Sequence, residues 1–139
     1  MKPPEVSGLD HIVLITDNMP GMIEFYGTVL GCPVERELKE FGLVQIRAGK
    51  ALVDLQESKY AANGPGTDFR RNMEHFCLTL KVWDEDALIA HLRACNISCD
   101  APARRYGAEG YGPSIYINDP DGNRIELKGP AEEGASGAG

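Results

Sequence analysis

Two histidines and two carboxylates recur in this sequence at matching positions of an internal repeat. His11 and His75 are each preceded by an acidic residue and followed by three apolar or strand-forming residues, at an offset of 64 positions. Asp54 and Glu126 each lie between apolar neighbours, at an offset of 72 positions. A single histidine at a strand start is usually an ordinary hydrogen-bonded polar group. A duplicated histidine paired with a duplicated carboxylate is costly to bury without a cation, and therefore predicts a metal site.

The donor types indicate which ions such a site would bind. Neutral imidazole and carboxylate oxygen suit Zn²⁺, Ni²⁺, Mn²⁺, Fe²⁺ or Co²⁺, and they leave room for water or substrate. The metal would act as a Lewis acid, while Glu126 or Asp54 could leave it and move a proton. We therefore expect the ligands His11, His75, Glu126 and Asp54, with the two carboxylates as the catalytic candidates.

The elements that carry these residues follow the same order in both halves. A capping aspartate or asparagine precedes a helical apolar stripe, and a glycine or asparagine follows it. The stripes are Met22, Phe25, Tyr26, Val29 and Leu30, then Leu88, Leu92 and Cys95. Strands are predicted at 33–38, 43–47, 51–56, 97–99, 114–118 and 123–128, with a loop at 101–113 and a tight turn at 119–123.

The pattern predicts an α+β fold of two repeated βαβββ modules, which form a curved mixed sheet around a metal cleft. We expect one domain over 1–139, with module one at 8–57, a linker at 58–72, module two at 73–128 and a disordered tail at 129–139.

Composition excludes several classes of partner. The chain has 139 residues, 14 Lys and Arg against 21 Asp and Glu, and a net charge of -7, so we expect neither nucleic acid nor an anionic membrane to bind it. It has no apolar run of about 20 residues and no signal peptide pattern, which favours a cytoplasmic location. Its four cysteines form no C-x-x-C pair and are interpreted as buried thiols.

The chain resembles the vicinal oxygen chelate superfamily, which includes glyoxalase I, fosfomycin-resistance thiol transferases, bleomycin-resistance proteins and extradiol dioxygenases. The resemblance covers about residues 8 to 128 and rests on F-Y-x-x-V-L-G at 25–31, D-P-D-G-N-R-I-E at 119–126 and the two acid–histidine pairs. It implies paired modules, a divalent metal and a homodimer. It also implies His11, His75 and Glu126 as ligands. Asp54 aligns with the fourth, and Gln56, two residues on and on the same strand face, competes with it.

A segment rich in arginine, tyrosine and glycine leads into the predicted strand at 114–118. Its arginines and tyrosines could clamp a carboxylate or phosphate of the substrate, or they could simply offset surface charge beside glycine turns. The S-x-Y pair at 114–116 resembles the one that fosfomycin-resistance enzymes carry before the D-P-D-G turn. The substrate-binding candidates are Arg104, Arg105, Tyr106, Tyr111, Ser114 and Tyr116.

We therefore expect a metal-dependent enzyme that acts on a small molecule chelated through vicinal oxygens, by lyase or isomerase chemistry. Thiol transfer and Fe²⁺-dependent ring cleavage on the same scaffold are the enzyme alternatives. A non-catalytic protein that binds a drug or metabolite, as bleomycin-resistance proteins do, is the alternative from another class.

Overall fold

Each half of the sequence forms a four-stranded mixed sheet with a helix, which confirms the predicted α+β class. The structure is a computed structural model that describes residues 5, 7–60 and 73–132. The chain divides into two units, residues 1–68 and 69–139, and each is described by itself.

The sheet of the first unit has the strand order β1-β4-β3-β2. Its strands are β1 (His11–Thr16), β2 (Val34–Leu38), β3 (Leu43–Ala48) and β4 (Ala51–Glu57). The pair β1 and β4 is parallel, and the other neighbours are antiparallel. The three strands predicted in this half at 33–38, 43–47 and 51–56 are therefore correct to within a residue at each end.

The helix of the first unit, α1 (Met19–Glu24), begins where the sequence predicts. The side chain of Asn18 caps it by accepting a hydrogen bond from the backbone N–H of Gly21 at 3.1 Å. The helix continues into a wider π-helical turn (Phe25–Val29), and Gly31 follows in the left-handed conformation with φ 70°.

The two faces of the first sheet differ because side chains alternate along each strand. One face carries the buried side chains of the unit's core, which includes α1 and the π-helical turn: Leu14, Met22, Phe25, Tyr26, Val44, Ile46, Val53 and Leu55. The other face carries His11 and Asp54. The hydrophobic core therefore lies on one side of the sheet, and the two candidate metal ligands lie on the other.

The second unit repeats this plan with the strand order β5-β8-β7-β6. Its elements are β5 (Phe76–Thr79), α2 (Glu85–Ala94), β6 (Ala103–Gly107), β7 (Gly110–Asn118) and β8 (Arg124–Lys128). The side chain of Asp84 caps α2. The pair β5 and β8 is parallel, like β1 and β4. The turn before β8 is held by Asp119, which accepts hydrogen bonds from the backbone N–H groups of Asp121 and Asn123, both at 2.9 Å.

Two predictions for this half are wrong. Residues 97–99 form no strand, because Asn96 takes the left-handed conformation (φ 61°) and the N–H of Ile97 turns back to the carbonyl of Leu92, which closes the helix. Residues 101–113 are not a loop, because β6 and the start of β7 form a hairpin through this segment. Pro113 does not interrupt it, since its carbonyl accepts from Gly129 and its nitrogen therefore faces away from β6.

The segments outside the modules are only partly described. In the predicted linker, Ser58–Tyr60 form one 3₁₀ turn, and residues 61–72 lie outside the described part. The predicted tail is wrong at its start, because Gly129 and Glu132 donate hydrogen bonds to the carbonyls of Pro113 and Tyr111, both at 2.8 Å. This pairing is available because β7 extends beyond β8. Residues 133–139 lie outside the described part. Within it, no helix has the length and apolar character to cross a bilayer.

Candidate metal and substrate site

The first unit brings together one histidine and one carboxylate. His11 begins β1, and Asp54 lies on the neighbouring strand β4, on the same face of the sheet. The Nδ1 atom of His11 lies 2.7 Å from Oδ1 of Asp10, which leaves Nε2 available as a donor to a metal. This hydrogen bond to Asp10, together with the charge of Asp54, raises the pKa of the His11 imidazole.

Asp54 is buried, with only 4 % of its surface exposed, yet only one of its oxygens has a partner among the described residues. Gln45, directly opposite on β3, donates from Nε2 to Oδ2 at 3.1 Å. Oδ1 is buried without a hydrogen bond from the described part of the chain. A buried, unpaired carboxylate oxygen is unfavourable by itself and is well suited to bind a cation. Gln56, the competing ligand, lies half-buried two residues further along the same face.

The second unit brings together a matching pair. His75 immediately precedes β5, and its Nε2 lies 3.3 Å from Oε1 of Glu126 on β8. Its Nδ1 lies 3.1 Å from Oε1 of Glu74. Hydrogen bonds from Arg124 and His75 hold the pKa of Glu74 below its usual range. Glu126 is buried, with 6 % exposed.

The two pairs have the same register. Asp54 is paired across the strands with Val13, and Glu126 with Cys77, so each histidine lies two residues before the partner of its carboxylate. The repeat extends to the acidic residue before each histidine, which orients the imidazole in both units. Sequence reasoning noted those acids but gave them no role. The recurrence of an acidic residue immediately before each histidine was the signal that could have indicated this orienting role.

Imidazole and carboxylate groups are ligand types that suit a divalent metal. Each unit supplies one histidine and one carboxylate. In the described part of the chain, three or more histidine, cysteine, aspartate or glutamate side chains are not grouped closely enough to hold an ion. The orphaned Oδ1 of Asp54 and the oriented imidazoles nevertheless match the requirements of such a ligand set. The assignment of all four residues to one ion remains a prediction.

Cys77 lies beside Glu126 on the same face but is a poor nucleophile. Cys77 is exposed, contrary to the predicted burial of the cysteines, but partial desolvation together with the negative charge of Glu126 raises the pKa of its thiol to about 11. At neutral pH it is therefore almost entirely protonated, whereas a thiolate is the form that attacks electrophiles and binds metals.

The predicted substrate-binding residues divide between the two faces of the second sheet. Arg105, Ser114 and Tyr116 share the face of Glu126. Arg105 donates from Nη1 to Oγ of the fully buried Ser114 at 2.7 Å, and its guanidinium lies 4.5 Å from the centre of the Tyr116 ring. The Tyr116 ring also meets the His75 imidazole edge to face, with their centres 5.1 Å apart.

The other three candidates form a separate cluster. Arg104 lies on the opposite face of the strand from Arg105. Its guanidinium lies 4.2 Å from the centre of the Tyr111 ring. Tyr111 in turn contacts the ring of Tyr106, with 5.0 Å between centres. The two adjacent arginines therefore do not form one clamp, because consecutive strand residues point to opposite faces.

A cavity of about 350 Å³ lies against the carboxylate-bearing face of the second sheet. Its lining includes His75, Cys77, Glu126 and Lys128, and at its edge residues 106–109, where β6 turns into β7, so Tyr106 of the separate cluster also borders it. Its size suits a small organic molecule. Lys128 was not predicted as a site residue. Its position two residues after Glu126, hence on the same strand face, was the available signal.

Comparisons with known proteins agree with this architecture. Residues 8–127 match the family described as Glyoxalase/Bleomycin resistance protein/Dioxygenase superfamily. Virulence protein STM3117 of Salmonella typhimurium is 30% identical over 127 residues, which cover 88% of this chain and 83% of that protein.

Solved structures share the fold at lower identity. An integron cassette structure from the mobile metagenome of V. Pseudocholerae, VPC_CASS1, has a TM-score of 0.78 at 24% identity, covering 94% of this chain and 100% of that one. Lactoylglutathione lyase from Agrobacterium tumefaciens has a TM-score of 0.64 at 24% identity, covering 92% and 96%.

Proposed function

Since the chain belongs to the glyoxalase/bleomycin resistance protein/dioxygenase superfamily, we propose that it is a divalent-metal-dependent enzyme acting on a small molecule. The substrate would present two neighbouring oxygens, and the reaction would be of the lyase or isomerase type. The proposed metal ligands are His11, Asp54, His75 and Glu126, and the candidate ions are Zn²⁺, Ni²⁺, Mn²⁺, Fe²⁺ and Co²⁺.

The observation that best supports a metal is the buried oxygen Oδ1 of Asp54. A buried carboxylate with a single neutral hydrogen bond destabilises the fold unless a cation neutralises its charge. A neutral or exposed side chain at this position would carry no such cost. Gln45 fixes the other oxygen and so aims Oδ1. The same position of the repeat carries Glu126, beside an imidazole whose other nitrogen is already engaged by Glu74.

A bound divalent cation would supply Lewis-acid stabilisation of negative charge on a substrate oxygen. Glu126 is the better proton carrier of the two carboxylates, because it lines the cavity and its Oε1 lies 3.3 Å from Nε2 of His75. Asp54 is held by Gln45 and is the better fixed ligand. Tyr116 packs against His75 and limits the positions its ring can take.

Elemental analysis after loading with each candidate metal tests the ligand set. We expect one ion per chain in the wild type, and a loss of that ion in His75→Ala. The matched control is His91→Ala, which removes a histidine on α2 and should retain the metal. Absence of metal at micromolar supply, or full occupancy in His75→Ala, would contradict the proposal.

Proton exchange separates catalysis from simple binding. The metal-loaded protein is incubated in D₂O with a panel of small α-hydroxycarbonyl compounds, and loss of the α-proton signal is followed by NMR. We expect exchange that depends on the metal and falls at least about 100-fold in Glu126→Gln, as removal of a general base requires. Tight binding without exchange or turnover would favour the drug-binding alternative. The homodimer stays a prediction, which sedimentation equilibrium can test.

A further inference from the structure

Lys128 is a buried cation on the cavity face of the second sheet. It is the last residue of β8, with only 5 % of its surface exposed. Lysine is almost never buried to this extent unless its charge is compensated. Gln56 occupies the repeat-related position of the first unit, two residues after Asp54, so the charge is specific to the second unit.

Two glycines make room for this side chain. A Cβ at Gly107 would lie 2.9 Å from Cε of Lys128, and a Cβ at Gly112 would lie 3.0 Å from Nζ. Both distances are too short for a side chain to be present without displacement. The glycines of β6 and β7 therefore form a cradle that holds the lysine stem flat against the sheet, and Lys128 lines the cavity beside His75 and Glu126.

The charge of Lys128 is not matched within the described part of the chain. Its ammonium group makes no ion pair with any carboxylate there. The nearest acidic position on its strand, Glu126, pairs with His75, and Glu109 lies exposed at the cavity lining. Arg105 and Arg124 lie on the same face, but each is paired with a carboxylate, that of Asp100 and that of Glu74 respectively. The ammonium group of Lys128, which has no ion pair within 4.0 Å among the described residues, is suited to bind an acidic group in this cavity.

Resting on the proposed function, we propose that Lys128 binds an acidic group of the substrate. The substrate class is then a small anion, with a carboxylate or a phosphonate at Nζ of Lys128 and its two chelating oxygens directed toward Glu126 and His75. The cavity volume of about 350 Å³ suits such a molecule.

The test titrates the full-length, chelator-treated protein with acetate and, separately, with methylphosphonate. Binding is followed by the amide NMR signals of Gly107, Ala108 and Gly129, which line the cavity. We expect at least one probe to bind the wild type, and Lys128→Met to weaken it by about tenfold or more. The preferred probe identifies the acidic group. The matched control Lys81→Met removes an exposed lysine and should leave the affinity unchanged.

A second variant, Gly107→Ala, leaves all charged residues of the cavity in place. Gly107→Ala places a methyl group against the lysine stem, so we expect it to weaken binding as well, which guards against a folding defect specific to Lys128→Met. Equal affinity in the wild type and in Lys128→Met, or no binding of either probe to the wild type, would overturn the proposal.

The same titration in Zn²⁺-loaded protein distinguishes this proposal from the proposed function. We expect tighter binding there, because the metal neutralises Glu126. Lys128-dependent binding that is unchanged by Zn²⁺ would support the anion site and contradict the metal site.

Discussion

Replacing Asp54 with asparagine should stabilise the metal-free protein. The substitution keeps the shape of the side chain and removes a buried charge that has one neutral hydrogen bond, from Gln45 at 3.1 Å. Removing an under-compensated buried charge of this kind is worth about 1–3 kcal/mol. For a chain of 139 residues, this corresponds to a rise of about 3–10 °C in melting temperature.

Bound metal should make the wild type more stable than Asp54→Asn. A metal supplied at about 1,000 times its dissociation constant adds about 4 kcal/mol to the stability of a protein that binds it only when folded. The wild type should gain this amount, and Asp54→Asn should gain little, because its single oxygen accepts from Gln45 and an amide NH₂ takes the place of Oδ1.

The assay is thermal unfolding followed by circular dichroism, with and without metal. Glu37→Gln, which neutralises an exposed carboxylate on β2, is the control and should change stability by less than about 0.5 kcal/mol. The reasoning is refuted if Asp54→Asn is less stable than the wild type without metal, or if metal stabilises both proteins equally.

Substitutions at three further positions test the supporting structure. Glu74→Gln should weaken metal affinity by about 10–100-fold without abolishing it, because it loosens the orientation of His75; isothermal titration calorimetry measures this, and unchanged affinity would remove Glu74 from the site. Asp119→Ala should lower the free energy of unfolding by about 2–3 kcal/mol in urea denaturation, since the turn before β8 loses its hydrogen-bond acceptor; a loss below about 0.5 kcal/mol would contradict that role. Asn96→Ala should cost about 1 kcal/mol in the same assay, and Asn96→Gly should not, because the position needs a left-handed conformation.

The sequence predicted the parts of the fold that depend on local pattern. The helix that starts after Asn18, the left-handed residue Asn96 and the turn at Asp119 each follow from residue types that act on their immediate neighbours. The hairpin of β6 and β7 was missed because Pro113 and the glycines that precede it are typical of loops. What makes this segment a strand is pairing with residues 103–107 and 129, which no local pattern reveals.

The candidate site was likewise predicted only where a local pattern in the sequence indicates it. The repeat identified both histidine–carboxylate pairs, since matching positions need only counting. The separation of Arg104 from Arg105 follows from strand alternation once the segment is known to be a strand, and it was missed for that reason. Burial of Lys128 depends on the space left by Gly107 and Gly112 on neighbouring strands, which requires the sheet register.

The central proposal, that His11 and His75 are both metal ligands, is tested most directly by electron paramagnetic resonance of the protein loaded with Cu²⁺. Nitrogen ligands split the signal, so their number can be counted. We predict two coordinating nitrogens in the wild type and one in each of His11→Ala and His75→Ala, with His91→Ala unchanged. A wild-type spectrum with a single nitrogen, or one that either His11→Ala or His75→Ala leaves unaltered, would contradict the account.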